Sequence, residues 1–369
     1  MKIYNFKNFI LERLGVGIPS IQYAEPIYKK TIEELKHFLE EKKEYKEYLN
    51  DPKISSEELR PYIGTEAEYK EFPVVGISLD LHFKKVPDDI FEEEFLHDGM
   101  SHSVGGSAYR FGHKNWSGYS KKVETDIKDL PFGIQPMVGI EIYVPKSYRI
   151  EEDDKLEDTI MKTIYHELNH LYEYYARLKG QKGLPLYKRG PKIAITYSNV
   201  NRWKIPGEIY NIWSNDLVFN FYLSEPYELN AQVQEASYMV MKHGFESLFE
   251  TESWNNAISM ERFNAEAFIS KLDLEIEEYI SAKGPEKTAL YTGVLALPLK
   301  ERLKEMWLSE YKKQFEGEKE GPTIDFERLK KNDCEYFVRY MGKRINEAGT
   351  KLKKKLGKLY DFAEKKNNI

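Results

Sequence analysis

The sequence predicts an α+β fold in which a small, mostly antiparallel sheet precedes a set of helices. Hydrophobic and polar residues alternate along residues 72–83 and 137–144, which indicates two half-buried strands. Hydrophobic residues recur instead at helical spacing along residues 154–179, and only helical patterns follow Gly244. The change of period therefore places the sheet directly before the first long helix of the core.

A strongly charged region with helical spacing comes before the sheet. Residues 28–49 place Ile32, Leu35 and Leu39 on one face of a helix whose other positions are mainly charged. We interpret it as a solvated helix that packs through one stripe. The chain is then expected to have three parts: a helical N-terminal extension at 1–66, a core at 67–250 and a helical C-terminal region at 251–369.

The two predicted strands are separated by a glycine-rich stretch, GMSHSVGGSAYRFGHKNWSGYS, at residues 99–120. Its composition predicts a hairpin or a mobile loop. His97, His102 and His113 lie in or near it with no ligand spacing, so we expect them on a loop surface. After the helix at 154–179, further helices are expected at five places: residues 209–223, 226–243, 260–282, 297–315 and 326–366.

Composition excludes several classes of partner and site. The 55 basic and 61 acidic residues give a net charge of -6, so the whole molecule has no attraction for nucleic acid or anionic lipid. The one cysteine, Cys334, excludes an intrachain disulfide and a cysteine-based zinc site. No apolar run approaches the roughly 18 residues of a membrane span. We expect a cytoplasmic protein with no membrane span and no nucleic-acid partner; the pattern does not predict an oligomeric state.

The segment IYHELNHLYE, residues 164–173, carries a His-Glu-x-x-His motif on the predicted helix. His166 and His170 are one turn apart, so both imidazoles project from one face and can reach one metal ion. Glu167 can then take a proton from a water on that ion, whose pKa zinc lowers to about 7. The alternative is an exposed helix that happens to carry two histidines and a glutamate.

A catalytic zinc site of this kind needs a third protein ligand from elsewhere in the chain. The continued motif HExxHxxGxxH is excluded, because Glu173 and Ala176 stand where its glycine and third histidine would be. A downstream stretch, SEPYELNAQVQEA, carries Pro226, Glu228 and Ala231 in a P-x-E-x-x-A arrangement. With the HELNH motif, this resembles the gluzincin class of zinc metallopeptidases.

The resemblance covers about residues 72–243 and implies both a fold and an activity. The fold would be a zincin-like core, a small sheet with active-site helices. The activity would be hydrolysis of peptide bonds in a peptide or protein substrate by a zinc-bound water that Glu167 activates. It implies one Zn²⁺ ion held by three residues: His166, His170 and Glu228.

Other assignments around this centre stay open. Glu228 also suits a plain helix cap, since Pro226 looks like the first helical position and glutamate is favoured two residues later. Glu225 is a competing third ligand. Glu173 and Glu235 are candidates for orienting the ligands. The class also uses a residue that stabilises the transition state, for which four side chains are candidates: Tyr197, Tyr222, Tyr227 and His243.

Peptidases of this class commonly bind an extended peptide along an edge strand. The segment GIEIYV, residues 139–144, has the expected sequence position for that strand, and an ordinary strand of the sheet is the alternative.

A non-catalytic structural or assembly protein with a peptidase-like core is the alternative function. The long charged helices predicted at both ends of the chain favour this alternative. The C-terminal KLKKKLGKLYDFAEKK, residues 351–366, is basic with leucines at helical spacing, and we expect one buried stripe and a solvated basic face. This segment also faintly resembles proteins of tailed bacteriophages; a viral source would place the protein in the host cytoplasm or the virion.

Overall fold

The computed structural model describes residues 27–33, 36, 57–59, 62–64, 76–94, 102–109, 137–178, 203, 205–283, 299–314 and 324–367. Over these residues the protein is α+β and mostly helical, with one small sheet. The chain forms two compact units, one of residues 1–187, 230–253 and 355–369, the other of residues 188–229 and 254–354. Both units are discontinuous in sequence.

The sheet lies in the first unit and has five strands: β1 (Glu57–Leu59), β2 (Tyr62–Gly64), β3 (Gly76–Val86), β4 (Ser103–Tyr109) and β5 (Met137–Pro145). Their order is β1-β3-β5-β4, and β2 also pairs with β3. The pairs β1–β3, β2–β3 and β4–β5 are antiparallel, whereas the long central pair β3–β5 is parallel. The sheet is thus mixed, with mostly antiparallel pairings.

Strand β5 is the buried centre of the sheet. Its alternate residues Val138, Ile140 and Ile142 are at most 1% exposed, because they face the helical layer. Since β5 has a neighbour on each side, the expectation that residues 139–144 form an edge strand is wrong. Among the described strands, β4 from the glycine-rich segment lies at the edge of the sheet, beside β5. Glycine has a low strand propensity, and the antiparallel hydrogen bonds to β5 hold this segment as a strand.

The long helix α2 (Leu156–Leu178) packs on β4 and β5, after a short helix α1 (Asp88–Glu94) between β3 and β4. Ile160, Ile164 and Leu168 on its sheet-facing side are at most 1% exposed. Asp153 begins the helix, since its Oδ1 accepts hydrogen bonds from the backbone N–H groups of Lys155 and Leu156, both at 3.1 Å. This agrees with the helix predicted over 154–179.

The two helices predicted next are also present. The first consists of α3 (Gly207–Ile212), a π-helical segment (Trp213–Val218) and α4 (Phe219–Leu223). The second is α5 (Pro226–His243), which is continuous across the boundary between the two units at residues 229 and 230. The widened π turn was not predicted, because periodicity alone does not distinguish it from an α-helical turn.

The remaining helices are α6 (Glu252–Glu261), α7 (Ala265–Lys283), α8 (Leu299–Gln314), α9 (Phe326–Lys331) and α10 (Cys334–Asn367). Two of the predicted helices are each interrupted by a new cap. Asn264 Oδ1 accepts the N–H groups of Glu266 and Ala267, and Asp333 Oδ1 accepts that of Tyr336. Local side-chain capping therefore starts a second helix where the hydrophobic spacing runs on.

The basic end of α10 buries one stripe, as predicted: Leu352, Leu356 and Leu359 are 0% exposed. Lys351, Lys354 and Lys358 of the same segment are exposed. Of the helices that the structure describes, none combines the length and the apolar character that crossing a bilayer requires.

Candidate metal centre

The HELNH motif lies in the middle of α2, as the sequence predicts. The rings of His166 and His170 are 4.7 Å apart, edge to face at 82°. His170 and Glu167 are buried, and His166 is half-buried. The two imidazoles thus stand one helical turn apart on one face, with Glu167 beside them.

Glu228, in the first turn of α5, completes a group of three. His166, His170 and Glu228 each offer one ligand atom, and these atoms lie within 4.8 Å of one another. Zinc bonds of about 2.0–2.2 Å in a tetrahedron put ligand atoms about 3.3–3.6 Å apart, so small side-chain movements would bring all three onto one ion. Two imidazoles and a carboxylate are also a donor set that catalytic zinc sites use.

The burial of Glu228 adds to this fit. The residue is 1% exposed. A carboxylate withdrawn from water costs several kcal/mol unless other groups compensate its charge. A divalent cation shared with His166 and His170 would add to the groups that compensate this charge. Glu225 is also buried, at 2% exposed, but of the described residues only the three named above form the ligand group.

Glu235, two turns further along α5, orients the first histidine. Its Oε1 lies 2.6 Å from His166 Nδ1. Because Nδ1 is engaged there, Nε2 is the nitrogen with which His166 would hold a metal. Ser253 Oγ donates to the other carboxylate oxygen at 3.1 Å, and Ser253 is 1% exposed. The sequence singled out Glu235; nothing in the sequence around Ser253 pointed to this contact.

An ionic cluster joins the start of α2 to the end of α5. Asp158 accepts from Lys242 at 2.9 Å, from Tyr238 at 3.0 Å and from His243 at 2.7 Å. Burial acts to raise the pKa of Asp158, but the hydrogen bonds from these three partners outweigh it and hold the pKa below its ordinary value. Tyr238 also stacks on Tyr165, with ring centroids 5.3 Å apart. The two helices that carry the candidate ligands are thus tied together away from those residues.

Another histidine, His102, lies just before the start of β4, outside the candidate metal centre. His102 is 2% exposed, so the expectation of a surface position for it is wrong. Its Nδ1 lies 2.5 Å from Asp153 Oδ2, and its Nε2 lies 3.0 Å from Thr159 Oγ1. Tyr148 donates to the same Asp153 oxygen at 3.0 Å. The residue that caps α2 therefore also anchors the start of β4. His97 and His113 lie outside the described residues.

The other candidates from the sequence are distributed as follows. Glu173 is on α2, with its side chain outside the described part, and Tyr197 is outside it as well. Tyr227 is buried beside Glu228, and Tyr222 lies next to Phe219, with ring centroids 6.4 Å apart. His243 is about 22 Å from Glu228 along the axis of α5, at 1.5 Å per residue, and pairs with Asp158 instead of approaching the ligand group.

Compared with known proteins, the chain matches no protein-family model, no curated protein and no solved structure. The function must therefore be argued from the site itself.

Proposed function

We propose that the protein is a zinc-dependent metallopeptidase with a zincin-like core. The observation that carries the proposal is the meeting of three ligand atoms within 4.8 Å, from an HExxH helix and from a glutamate 58 residues after the second histidine. A bare His-x-x-x-His pair on a surface helix would not have a buried carboxylate beside it. The third partner is also the residue that the gluzincin resemblance singles out.

In this proposal each residue has a separate role. His166, His170 and Glu228 hold one Zn²⁺ ion, which when bound polarises the scissile carbonyl and makes water more acidic. Glu167 takes the proton from the attacking water and then delivers it to the departing amine. Glu235 and Ser253 keep the His166 ring turned so that Nε2 faces the ion.

The edge of the sheet would suit an extended peptide substrate. Among the described strands, β4 pairs only with β5, so its other backbone edge is not occupied by a described strand. An extended peptide can add to such an edge by main-chain hydrogen bonds. Strand β4 also packs against α2, and its Gly106 lies beside Glu167. A peptide or unfolded protein segment is therefore the class of substrate that we propose.

Metal analysis and peptide cleavage test the proposal together. Wild type and Glu167→Gln are purified, loaded with zinc, and assayed on unfolded casein and on a quenched fluorescent peptide library. We expect one zinc per chain in both proteins, with cleavage by wild type only, because general-base catalysis contributes about 10²–10⁴-fold. Glu157→Gln, an exposed glutamate on the same helix, is the matched control and should cleave like wild type.

The outcomes separate the candidate functions. Absence of zinc from wild type and variant alike would refute the metal centre and the reaction. Zinc retained by a wild-type protein that cleaves neither substrate would favour the alternative of a structural or assembly protein with a metal-stabilised core.

A further inference from the structure

Two adjacent glycines of the edge strand β4 have different surroundings. A methyl group on Gly105 would lie 3.9 Å from the Cβ of Glu141, which is an ordinary van der Waals distance. A methyl group on Gly106 would lie 2.6 Å from Glu167 Oε1 and 2.6 Å from Thr163 Cγ2. It would also lie 2.8 Å from Glu167 Cγ. Only the second glycine is in a place that no other residue could occupy without movement.

The strand itself is poorly able to move away. Seven successive residues of β4 pair with β5, from Ser103↔Tyr143 to Tyr109↔Met137. Its beginning is anchored by the buried pair of His102 with Asp153, the residue that caps α2. Strand and helix are therefore held to one another on the N-terminal side of the close approach, and β5 holds the strand along its length.

The two side chains opposite Gly106 differ in how many side-chain torsions each can change. Thr163 is branched at Cβ, and its hydroxyl donates to the carbonyl of Thr159 at 2.9 Å, so its rotamer is held. Glu167 has three side-chain torsions, and its carboxylate lies as near to the added methyl group as Thr163 Cγ2 does, at 2.6 Å. A side chain at position 106 would thus displace the Glu167 carboxylate before it displaced the strand or Thr163.

We propose that Gly106 is a positioning residue for Glu167. Its missing side chain lets the backbone of the edge strand lie against the glutamate, which sets where the carboxylate stands relative to the metal ligands and to a peptide on β4. This inference rests on the proposed peptidase function, since it assigns to Gly106 the placement of the proposed general base. Neither Gly105 nor Gly106 has a positive φ, so backbone strain does not enter the argument.

The first test compares Gly106→Ala with Gly105→Ala in the zinc-loaded full chain. We expect Gly106→Ala to lower kcat by about 100-fold, because a displacement of roughly 1 Å can cost that much. Zinc content and KM should change little, since no ligand is touched. Gly105→Ala, whose added methyl group meets only the Cβ of Glu141 at 3.9 Å, should lower kcat far less than Gly106→Ala does. Equal kcat values for the two variants would overturn the inference.

The second test needs neither metal nor activity. Thermal unfolding of the metal-free protein is measured for wild type, Gly106→Ala, Glu167→Ala and the double variant. If Gly106 contacts Glu167, the fall in Tm caused by Gly106→Ala becomes clearly smaller once the glutamate is shortened. The same cycle with Gly105→Ala should show no coupling. A fall in Tm that is equal in both backgrounds would overturn the contact.

Failure of the proposed function has a different signature. Wild type that binds zinc and cleaves no substrate would refute the peptidase proposal and the catalytic role of Gly106 with it. If wild type and Gly106→Ala cleave equally well, the positioning role alone is refuted.

Discussion

Two histidine–carboxylate pairs in the first unit show how the same chemistry serves different ends. In one, both ring nitrogens of His102 meet protein groups, Asp153 on one side and Thr159 on the other. In the other, His166 Nδ1 lies 2.6 Å from Glu235 Oε1, and a ring nitrogen of His166 also belongs to the group of ligand atoms with His170 and Glu228. The first histidine anchors the fold, whereas the second belongs to a group of side chains that could hold a metal ion.

The largest expected effect removes a proposed zinc ligand next to the second pair. His170→Ala should lower the affinity for zinc by well over 100-fold, because the loss of an outer partner alone typically costs 10–100-fold. Isothermal titration with zinc measures the change, and circular dichroism checks that the variant is folded. An affinity equal to that of wild type would show that His170 is not a ligand.

His102→Ala should have the opposite profile. We expect about 2–4 kcal/mol less stability toward urea, because Asp153 loses a buried partner, while zinc affinity stays close to that of wild type. Thr159→Val is the matched control; it removes the bond to Nε2 and leaves the Asp153 pair, so it should cost about 1 kcal/mol. A loss of zinc affinity as large as that of His170→Ala would contradict the purely structural role that we assign to the pair of His102 and Asp153.

Glu235→Ala tests whether orientation matters at the metal centre. The His166 ring would lose the acceptor of its Nδ1–H group, so zinc affinity should fall by about 10–100-fold. Ser253→Ala removes only the donor to the second carboxylate oxygen and should have a smaller effect in the same direction. Competition with a fluorescent zinc chelator measures both variants. If Ser253→Ala lowered zinc affinity more than Glu235→Ala does, the proposal that Ser253 acts through Glu235 would be wrong.

The smallest expected effect concerns the cluster around Asp158, which joins the two ligand-bearing helices. Its folded-state pKa is held below the ordinary value, so its contribution to stability is present above that ordinary value, near pH 4, and is lost as pH falls through the folded-state pKa. Asp158→Asn should therefore cost about 1 kcal/mol at pH 7 and progressively less below about pH 4.

Urea unfolding at several pH values measures this difference. The control is Glu157→Gln. Glu157 also contacts Lys242, at 2.9 Å, but it is more exposed than Asp158, so its replacement should cost less stability. A difference between Asp158→Asn and wild type that grew as the pH fell would contradict the sign that we assign.

Sequence patterns were most reliable where the interactions are local. The i, i+4 spacing of His166 and His170 decides that both face one side of α2, whatever packs around it. The helix over 226–243 was predicted with the bounds that the structure shows, because Pro226 begins it and Gly244, at φ 94°, follows its end. In the same way the alternation of residues 137–144 was sufficient to predict β5.

Contacts between distant segments were beyond such patterns. Ser253 comes close to Glu235, and His102 close to Asp153, only after the chain has folded. The edge position of β4 depends on which strands pair, and glycine-rich sequence favours a loop until β5 supplies the hydrogen bonds.

The sequence by itself determined the chemistry at hand: two imidazoles one turn apart, a glutamate beside them, and a third carboxylate to be found downstream. The tertiary structure decided which carboxylate lies within 4.8 Å of them, and which strand lies along Glu167. The reason is physical, since helical spacing acts within a few residues, whereas ligand groups and strand edges form from segments that only packing brings together.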